Sequence, residues 1–428
     1  MMENIKKRVC VVGLGYVGMP LALLIQKKGH PIIGYEIDEK IVEGLNSGHL
    51  HINDPRLMKE YESLKDSFHA TKDPKEALVG AEIIIICVPT PIDEKNNPDL
   101  NPLEEAVRTV SKHLKRETLV VIESTIYPGV TEHFIKPLLE ESGLNAGTDF
   151  FLAHCPERID PGNEKWTIAN IPRVVGALTS EGLRRASSFY RSILEAEVYE
   201  ARYVREAEAA KVVENTFRDI NIAYVNELAK SFDKLGIDVV DVIKAASTKP
   251  FGFMAHYPGC GVGGHCIPVD PYYLIERAKQ SGFDPKFLSL AREINNSMPD
   301  YTINLLVDAL NQVKLPVKGT KIGLLGLAYK GNVDDIRQSP SLKLKEKLEE
   351  MGAEVKVFDP FIPKGSDVKG AEELLSSCEA IILASSHNQF KELDFSNAPK
   401  LKVVIDGRNF LDKKNLESLG ILYKGIGR

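Results

Sequence analysis

The chain has 428 residues, too many for one hydrophobic core, and implies two or three domains. Hydrophobic residues at 43%, charged residues at 27% and a net charge of -6 are ordinary for a soluble globular protein; they offer no electrostatic basis for nucleic-acid or membrane-surface binding. The longest uninterrupted apolar run, Ile83–Val88, falls far short of the roughly 20 residues that a membrane-spanning helix needs.

Basic residues near the N-terminus precede apolar ones, but these run straight into a glycine motif. A buried first strand explains them better than a signal peptide. The strand candidates in chain order are Val9–Gly13, which is that first strand, Pro31–Glu36, Ile83–Val88, Leu119–Glu123 and Phe150–Cys155, with amphipathic segments between them. That alternation predicts a parallel, doubly wound sheet. From about Glu200 the pattern becomes helical. Glu206–Leu235 reads as one long helix, with more helix through about Ala309. Its positions Ile222, Val225, Leu228 and Phe232 form a stripe that calls for a partner, best supplied by a symmetry mate in a homodimer. After a boundary at Val313–Thr320, strand–helix alternation resumes from Lys321 through IGLLGLA, EVKVFDP, AIILAS and KVVIDGR, a smaller copy of the first unit. The spacing of the six cysteines is no disulfide framework, and a reducing cytoplasm suits it.

Gly13, Gly15 and Gly18, with Tyr16 and Val17 between them, follow a clean strand and open a helix. In that context GxGxxG is a dinucleotide fingerprint, its amide N–H groups facing a pyrophosphate. Glu36 closes the second strand 18 residues past Gly18, where a carboxylate accepts from a ribose diol and repels a 2′-phosphate. This points to NAD over NADP. Thr90 and Thr125 sit at two further strand ends facing the same crevice, or are ordinary polar termini.

The stretch Pro258–Asp270 is the most informative. Four glycines in six residues suit a loop whose backbone approaches a ligand closely, and Cys266 ends that loop with Asp270 four residues on. A cysteine among oriented amides is a candidate thiolate nucleophile, but a small buried residue is the bland alternative. A metal site from His256, Cys260, His265 and Cys266 matches no standard spacing, and no metal is expected. Lys211 and Asn215 share one face of the long helix and together suit an oxyanion, although a lone helix-face lysine is usually solvated. Glu157, after the last strand of the first unit, is unremarkable by itself. In the C-terminal unit, Ser339 and Pro340 read as N-cap and first residue of a helix, with Arg337 just before them where an anion is favoured.

Taken in order, GLGYVG (13–18), VPTP (88–91), ESTIYPG (123–129), CPER (155–158), AEAAKVVENT (207–216), GVGGHCIPVDP (261–271), GLAYKGNVDDIRQSP (326–340) and DGRN (406–409) resemble the UDP-glucose/GDP-mannose dehydrogenase family over essentially the whole chain. The resemblance implies two Rossmann-like doubly wound domains, residues 1–199 binding NAD and 313–428 binding the UDP part. Between them, 200–312 would form a helical dimerisation domain carrying the cysteine loop. It implies a four-electron oxidation of a sugar CH2OH through a thioester on Cys266. Lys211 and Asn215 fall on oxyanion-stabilising positions, Thr125 and Asp270 on positions that place water and assist proton transfer, and Glu157 on the acid implicated in thioester hydrolysis. Lys330, Arg337 and Arg408 lie in motifs associated with nucleotide-sugar and cofactor contacts; Arg337 is assigned to the cofactor. Arg158, Tyr257, Gly259, Gly263 and His265 complete the expected substrate contacts.

Two departures bear on the substrate. Pro161 and Val269 stand where UDP-glucose dehydrogenases carry an acid and a lysine. The GGHCIPVDP form, with His265 beside the cysteine, resembles the branch acting on UDP-N-acetylhexosamines. UDP-N-acetylmannosamine is therefore expected first and UDP-N-acetylglucosamine second. A dehydrogenase making a single oxidation would need no cysteine, and a nucleotide-binding scaffold would have no use for Cys266, Lys211, Asn215 and Asp270 together.

Overall fold

The computed structural model describes residues 6–93, 95–159, 163 and 165–428. They form two compact units: Met1–Glu214 with Tyr272–Gly282, and Asn215–Pro271 with Phe283–Arg428.

The first unit is built on eight strands: β1 (Val9–Val12), β2 (Ile32–Tyr35), β3 (Ala70–Thr71), β4 (Ile83–Ile86), β5 (Leu119–Ile122), β6 (Phe151–His154), β7 (Arg173–Ala177) and β8 (Val198–Glu200). Their spatial order is β3-β2-β1-β4-β5-β6-β7-β8. All four residues of β1, β4, β5 and β6 are buried. This is why these strands read as unbroken apolar runs: helices cover both faces of a parallel sheet. The chain order reverses between β1 and β4, where ligands of such sheets bind beyond the carboxyl ends. The five anticipated strands are all present, each one or two residues shorter.

The expected all-parallel arrangement fails at one place. β7 runs antiparallel to β6, with Ala153 opposite Ala177 and His154 opposite Gly176. The strand returns from the end at which β6 finishes. Its first residue, Arg173, therefore lies beyond the carboxyl end of the sheet.

The second unit carries β9 (Lys321–Leu325), β10 (Glu354–Phe358), β11 (Ala380–Leu383), β12 (Val403–Asp406) and β13 (Leu422–Gly425), all parallel, in the order β10-β9-β11-β12-β13. The helices Val239–Ala246, Lys286–Asn296 and Met298–Gln312 also belong to this unit. Ser339 caps the helix Pro340–Glu350 by accepting from the Ser341 N–H, with Pro340 at its first turn, as the sequence predicts.

The long helix spans Val204–Leu235. Its predicted stripe has a different partner from the one expected. Val225 and Ala229 are buried in the second unit's core with Val239, Ile243, Leu306 and Ile426, and Leu228 and Phe232 pack against that cluster. The apolar periodicity is satisfied largely within the chain. The large apolar side chains that the helix leaves exposed are Val213, Phe217, Tyr224 and, at its C-terminal end, Leu235. Among the described residues, no helix is long and apolar enough to cross a membrane.

Candidate active site

The glycine fingerprint follows β1 directly. Gly13 adopts φ +88°, and a Cβ on Gly18 would lie 1.8 Å from the Gly13 carbonyl oxygen, so the turn and the helix behind it demand glycine at both places. A Cβ on Gly15 would meet no atom within 4 Å, leaving room at the face where a pyrophosphate would approach. Glu36 braces this turn: it accepts from the Leu14 N–H at 2.9 Å and from the Ile37 and Asp38 N–H groups at 2.8 and 3.1 Å. A carboxylate held that way keeps lone pairs for a ribose diol. These features fit NAD.

The next two strand ends are tied together. The Thr90 hydroxyl donates to the Thr125 carbonyl at 2.8 Å, and the Tyr273 hydroxyl donates to the Thr90 carbonyl at 2.6 Å. Fully buried Glu208, on the long helix, accepts from the N–H groups of Gly129 and Thr131 at 2.5 and 2.8 Å, fixing the turn that follows Thr125. Neither Tyr273 nor Glu208 stands out in the sequence, because their partners lie 183 and about 80 positions away.

Glu157 is also engaged. One carboxylate oxygen accepts from the Arg158 and Ile159 N–H groups, and the other accepts from Arg173 at 2.9 Å. The fully buried Arg173 also faces Glu123 at 3.4 Å and the Pro156 carbonyl at 3.2 Å. Arg158 is gripped by Glu214, through both guanidinium Nε (3.1 Å) and Nη2 (2.5 Å). Lys211 is 8% exposed, and among the described residues no carboxylate lies within ion-pair distance of it. The bland reading of Lys211 as a solvated lysine therefore fails. Pro161 lies outside the described residues.

In the second unit, the cysteine loop separates its two thiols sharply. Cys260 is fully buried, its sulfur 3.7 Å from the Ala384 carbonyl, and burial pushes its thiol up; Cys266 is exposed. The alternative of Cys266 as a small buried residue does not hold. With one sulfur sealed in the core and the other at the surface, the conceivable metal quartet is not assembled.

The loop glycines serve a purpose the sequence does not reveal. A Cβ on Gly263 would fall 2.7 Å from the Tyr329 Cβ, and one on Gly264, at φ +92°, would fall 2.8 Å from the Tyr329 ring. The close approach is to the chain itself, where the GLAYKG turn receives the loop. The Gly264 N–H donates to the Arg337 carbonyl at 2.9 Å, Arg408 donates to the Gly261 carbonyl at 3.1 Å, and the Gly259 N–H donates to Asn226 at 3.0 Å. Beyond the loop, the Asp270 N–H donates to the Cys266 carbonyl at 2.9 Å, and Asn215 donates to the Asp270 carboxylate at 2.6 Å. Asn215 and Asp270 are 7% and 2% exposed.

His265 is held below the usual imidazole range by burial, with the Arg337 charge adding, so it is neutral at pH 7. Arg337 itself makes a fork to Asp335 at 2.7–3.0 Å and stays half exposed. Tyr257 is exposed and Lys330 half-buried.

The second sheet repeats the first's plan, but with its acid sealed. Asp359, after β10, accepts from the Leu327 and Ala328 N–H groups at 2.7 and 2.9 Å, as Glu36 does from Leu14. It also meets His387 at 3.0 Å, and Phe361 stacks on that imidazole. With 1% of its surface exposed, Asp359 cannot offer itself to a ribose.

Residues 7–194, 205–297 and 323–413 match, in turn, the NAD binding, central and UDP binding domains of the UDP-glucose/GDP-mannose dehydrogenase family. The chain belongs to that family. It is 38% identical to the UDP-N-acetyl-D-mannosamine dehydrogenase of Pyrococcus horikoshii, over 98% of this chain and 99% of that one. It is also 38% identical to the UDP-N-acetyl-D-glucosamine 6-dehydrogenase of Pseudomonas aeruginosa, over 95% and 97%. The solved structure of the Pyrococcus horikoshii UDP-D-ManNAc dehydrogenase superposes with a TM-score of 0.91 at 37% identity, covering 98% of this chain and 99% of that one. As a member of this family the protein is an NAD-dependent nucleotide-sugar dehydrogenase, an oxidoreductase with Rossmann-like terminal domains and a helical centre.

Proposed function

We propose that this dehydrogenase oxidises C6 of a UDP-N-acetylhexosamine twice, from alcohol to carboxylate, with UDP-N-acetylmannosamine the favoured substrate. The observation that carries the chemistry is the exposed Cys266 on a loop braced by Arg408, Asn226 and the Arg337 carbonyl. The substrate class rests on His265 and the GGHCIPVDP form, and on the names of the two 38% identical relatives. The P. aeruginosa relative keeps UDP-N-acetylglucosamine as the second reading.

NAD, when bound, takes up the hydride released from C6 in each oxidation. The 6-hydroxyl first gives its proton to water placed by Thr125 and Asp270. The Cys266 thiolate bonds to the aldehyde carbon, giving a thiohemiacetal, and loss of the second hydride from that carbon leaves a thioester. Water then bonds to the acyl carbon and yields a proton to Glu157. The C–S bond breaks with its electron pair on sulfur, and the carboxylate departs. Lys211 and Asn215 stabilise the oxyanion at each tetrahedral stage. Gly13, Gly15, Tyr16, Val17, Gly18, Glu36, Thr90, Thr125 and Arg337 hold the cofactor. Arg158, Tyr257, Gly259, Gly263, His265, Lys330 and Arg408 join Glu157, Lys211 and Asn215 around the sugar nucleotide. The domain limits that go with this reading are 1–199, 200–312 and 313–428.

The working form is a homodimer in the cytoplasm. Val213, Phe217 and Tyr224 lie at i, i+4 and i+11 on the long helix, each about half exposed, and a second copy is the partner best suited to cover them. NADH release with a panel of UDP-sugars tests the function. UDP-N-acetylmannosamine should give the highest kcat/KM, and preference for UDP-glucose would refute the substrate assignment.

A further inference from the structure

Arg173, Glu123 and Glu157 form a buried cluster whose charges do not balance. The guanidinium is fully enclosed, 2.9 Å from Glu157 and 3.4 Å from Glu123. Its Nε finds no acceptor among the described residues, so the cation is placed for its carboxylates at the expense of its own hydrogen bonding. Glu123 takes its remaining bond from the Tyr190 hydroxyl at 2.5 Å. Glu157 Oε1 accepts from two backbone N–H groups, while among the described residues Oε2 accepts from Arg173 alone and so keeps one lone pair.

We infer that Arg173 is a positioning residue for the hydrolytic half of the reaction: shared with Glu123, it holds the Glu157 carboxylate oriented, with one acceptor site on Oε2 for the attacking water. This rests on the role proposed above for Glu157. One cation between two ionised carboxylates would leave a buried net negative charge, so the cluster retains a proton. Glu123 carries it: burial pushes that carboxyl up to about 7, with Arg173 opposing and Glu157 reinforcing the rise. The other titratable groups that bear on the cluster, Tyr190, Cys155 and Cys87, are all pushed up by burial and stay neutral. When Glu123 loses its proton it competes for Arg173, and Glu157 loses part of its counter-charge. The hydrolytic step therefore depends on an ionisation near neutrality that belongs to the cluster as a whole.

The test follows the first and later turnovers of the full-length protein with NAD and UDP-N-acetylmannosamine. In Arg173→Lys an ammonium replaces the guanidinium fork. The two NADH of the first turnover should form at the parent rate, steady-state kcat should fall at least tenfold, and a sugar acyl adduct should accumulate on the enzyme by intact mass. KM for both substrates should fall in step with kcat, leaving kcat/KM within about twofold. Equal loss of first-turnover and steady-state rates, or absence of the adduct, would overturn the inference. Glu123→Gln, which can turn its oxygen to Arg173 and its amide to Tyr190, should flatten the kcat–pH profile near pH 7. An unchanged profile would overturn it even if the lysine variant does not fold. Glu157→Gln separates the two readings. Normal turnover in that variant removes the role of Glu157 itself; adduct accumulation there but not in Arg173→Lys removes the role of Arg173 alone.

Discussion

Asn215 donates its amide to the Asp270 carboxylate at 2.6 Å, and Asp270 is in turn held by its own N–H on the Cys266 carbonyl. The Cys266 backbone thus orients the acid, and the acid orients the amide assigned to the oxyanion. Removing either side chain should cost about 100-fold in kcat, the scale of one lost oxyanion donor. Asn215→Ala with Asp270→Ala should be little worse than either single change, because they act as a unit. Multiplicative losses in that double-mutant cycle would show that the two work independently.

Cys260 is a packing residue of the second unit, enclosed between Gly407 and the Ala384 carbonyl. Cys260→Ala should retain activity but lose about 1–2 kcal/mol of stability through the cavity left by the sulfur. Denaturant unfolding reads the second effect and NADH release the first. A fully stable but inactive variant would reverse the assignment of the two cysteines.

Arg408 holds the cysteine loop by donating to the Gly261 and Ala384 carbonyls at 3.1 and 2.7 Å. Arg408→Met would strand both carbonyls and loosen the loop. KM for the UDP-sugar should rise at least tenfold while KM for NAD stays within about twofold. Equal rises in both would mean that Arg408 acts through the fold as a whole.

Acid stability follows from His154, which burial pushes down to about 3, with the Ile122 backbone opposing. Its folded value lies below its unfolded value of 6.5, so the stability it contributes is present above pH 6.5 and is lost as pH falls. Between pH 6.5 and 5 that loss is roughly 2 kcal/mol. Glu123 works in the opposite sense, its contribution being full below 4.5 and lost as pH rises through about 7. Between pH 4.5 and 6.5 the two slopes oppose each other and largely cancel, so stability should be nearly flat there. His154→Leu should uncover the Glu123 slope, so that stability in urea titrations falls as pH rises from 5 to 7; a profile parallel to the parent's would show that other groups dominate.

Much of this was legible from residue patterns. Strands such as Ile83–Ile86 announce themselves because both faces are buried, and Gly13–Gly18 reads as a dinucleotide turn because strand and helix flank it. β7 escaped because it opens with a charged residue, Arg173, and its carboxylate partners are 50 and 16 positions away. The long helix illustrates a different limit. Periodicity shows that Val225, Leu228 and Phe232 need covering, but not that Val239 and Ile426 supply the cover. The loop glycines point to close approach without saying to what, and Tyr329 is the answer for Gly263 and Gly264.

A covalent, four-electron oxidation on Cys266 underlies the proposed function. Its most direct test is the ratio of NADH formed to UDP-N-acetylmannosamine consumed at complete conversion. Two NADH per sugar are expected, with the uronic acid as product and no free aldehyde at any time. One NADH per sugar with aldehyde released would contradict it.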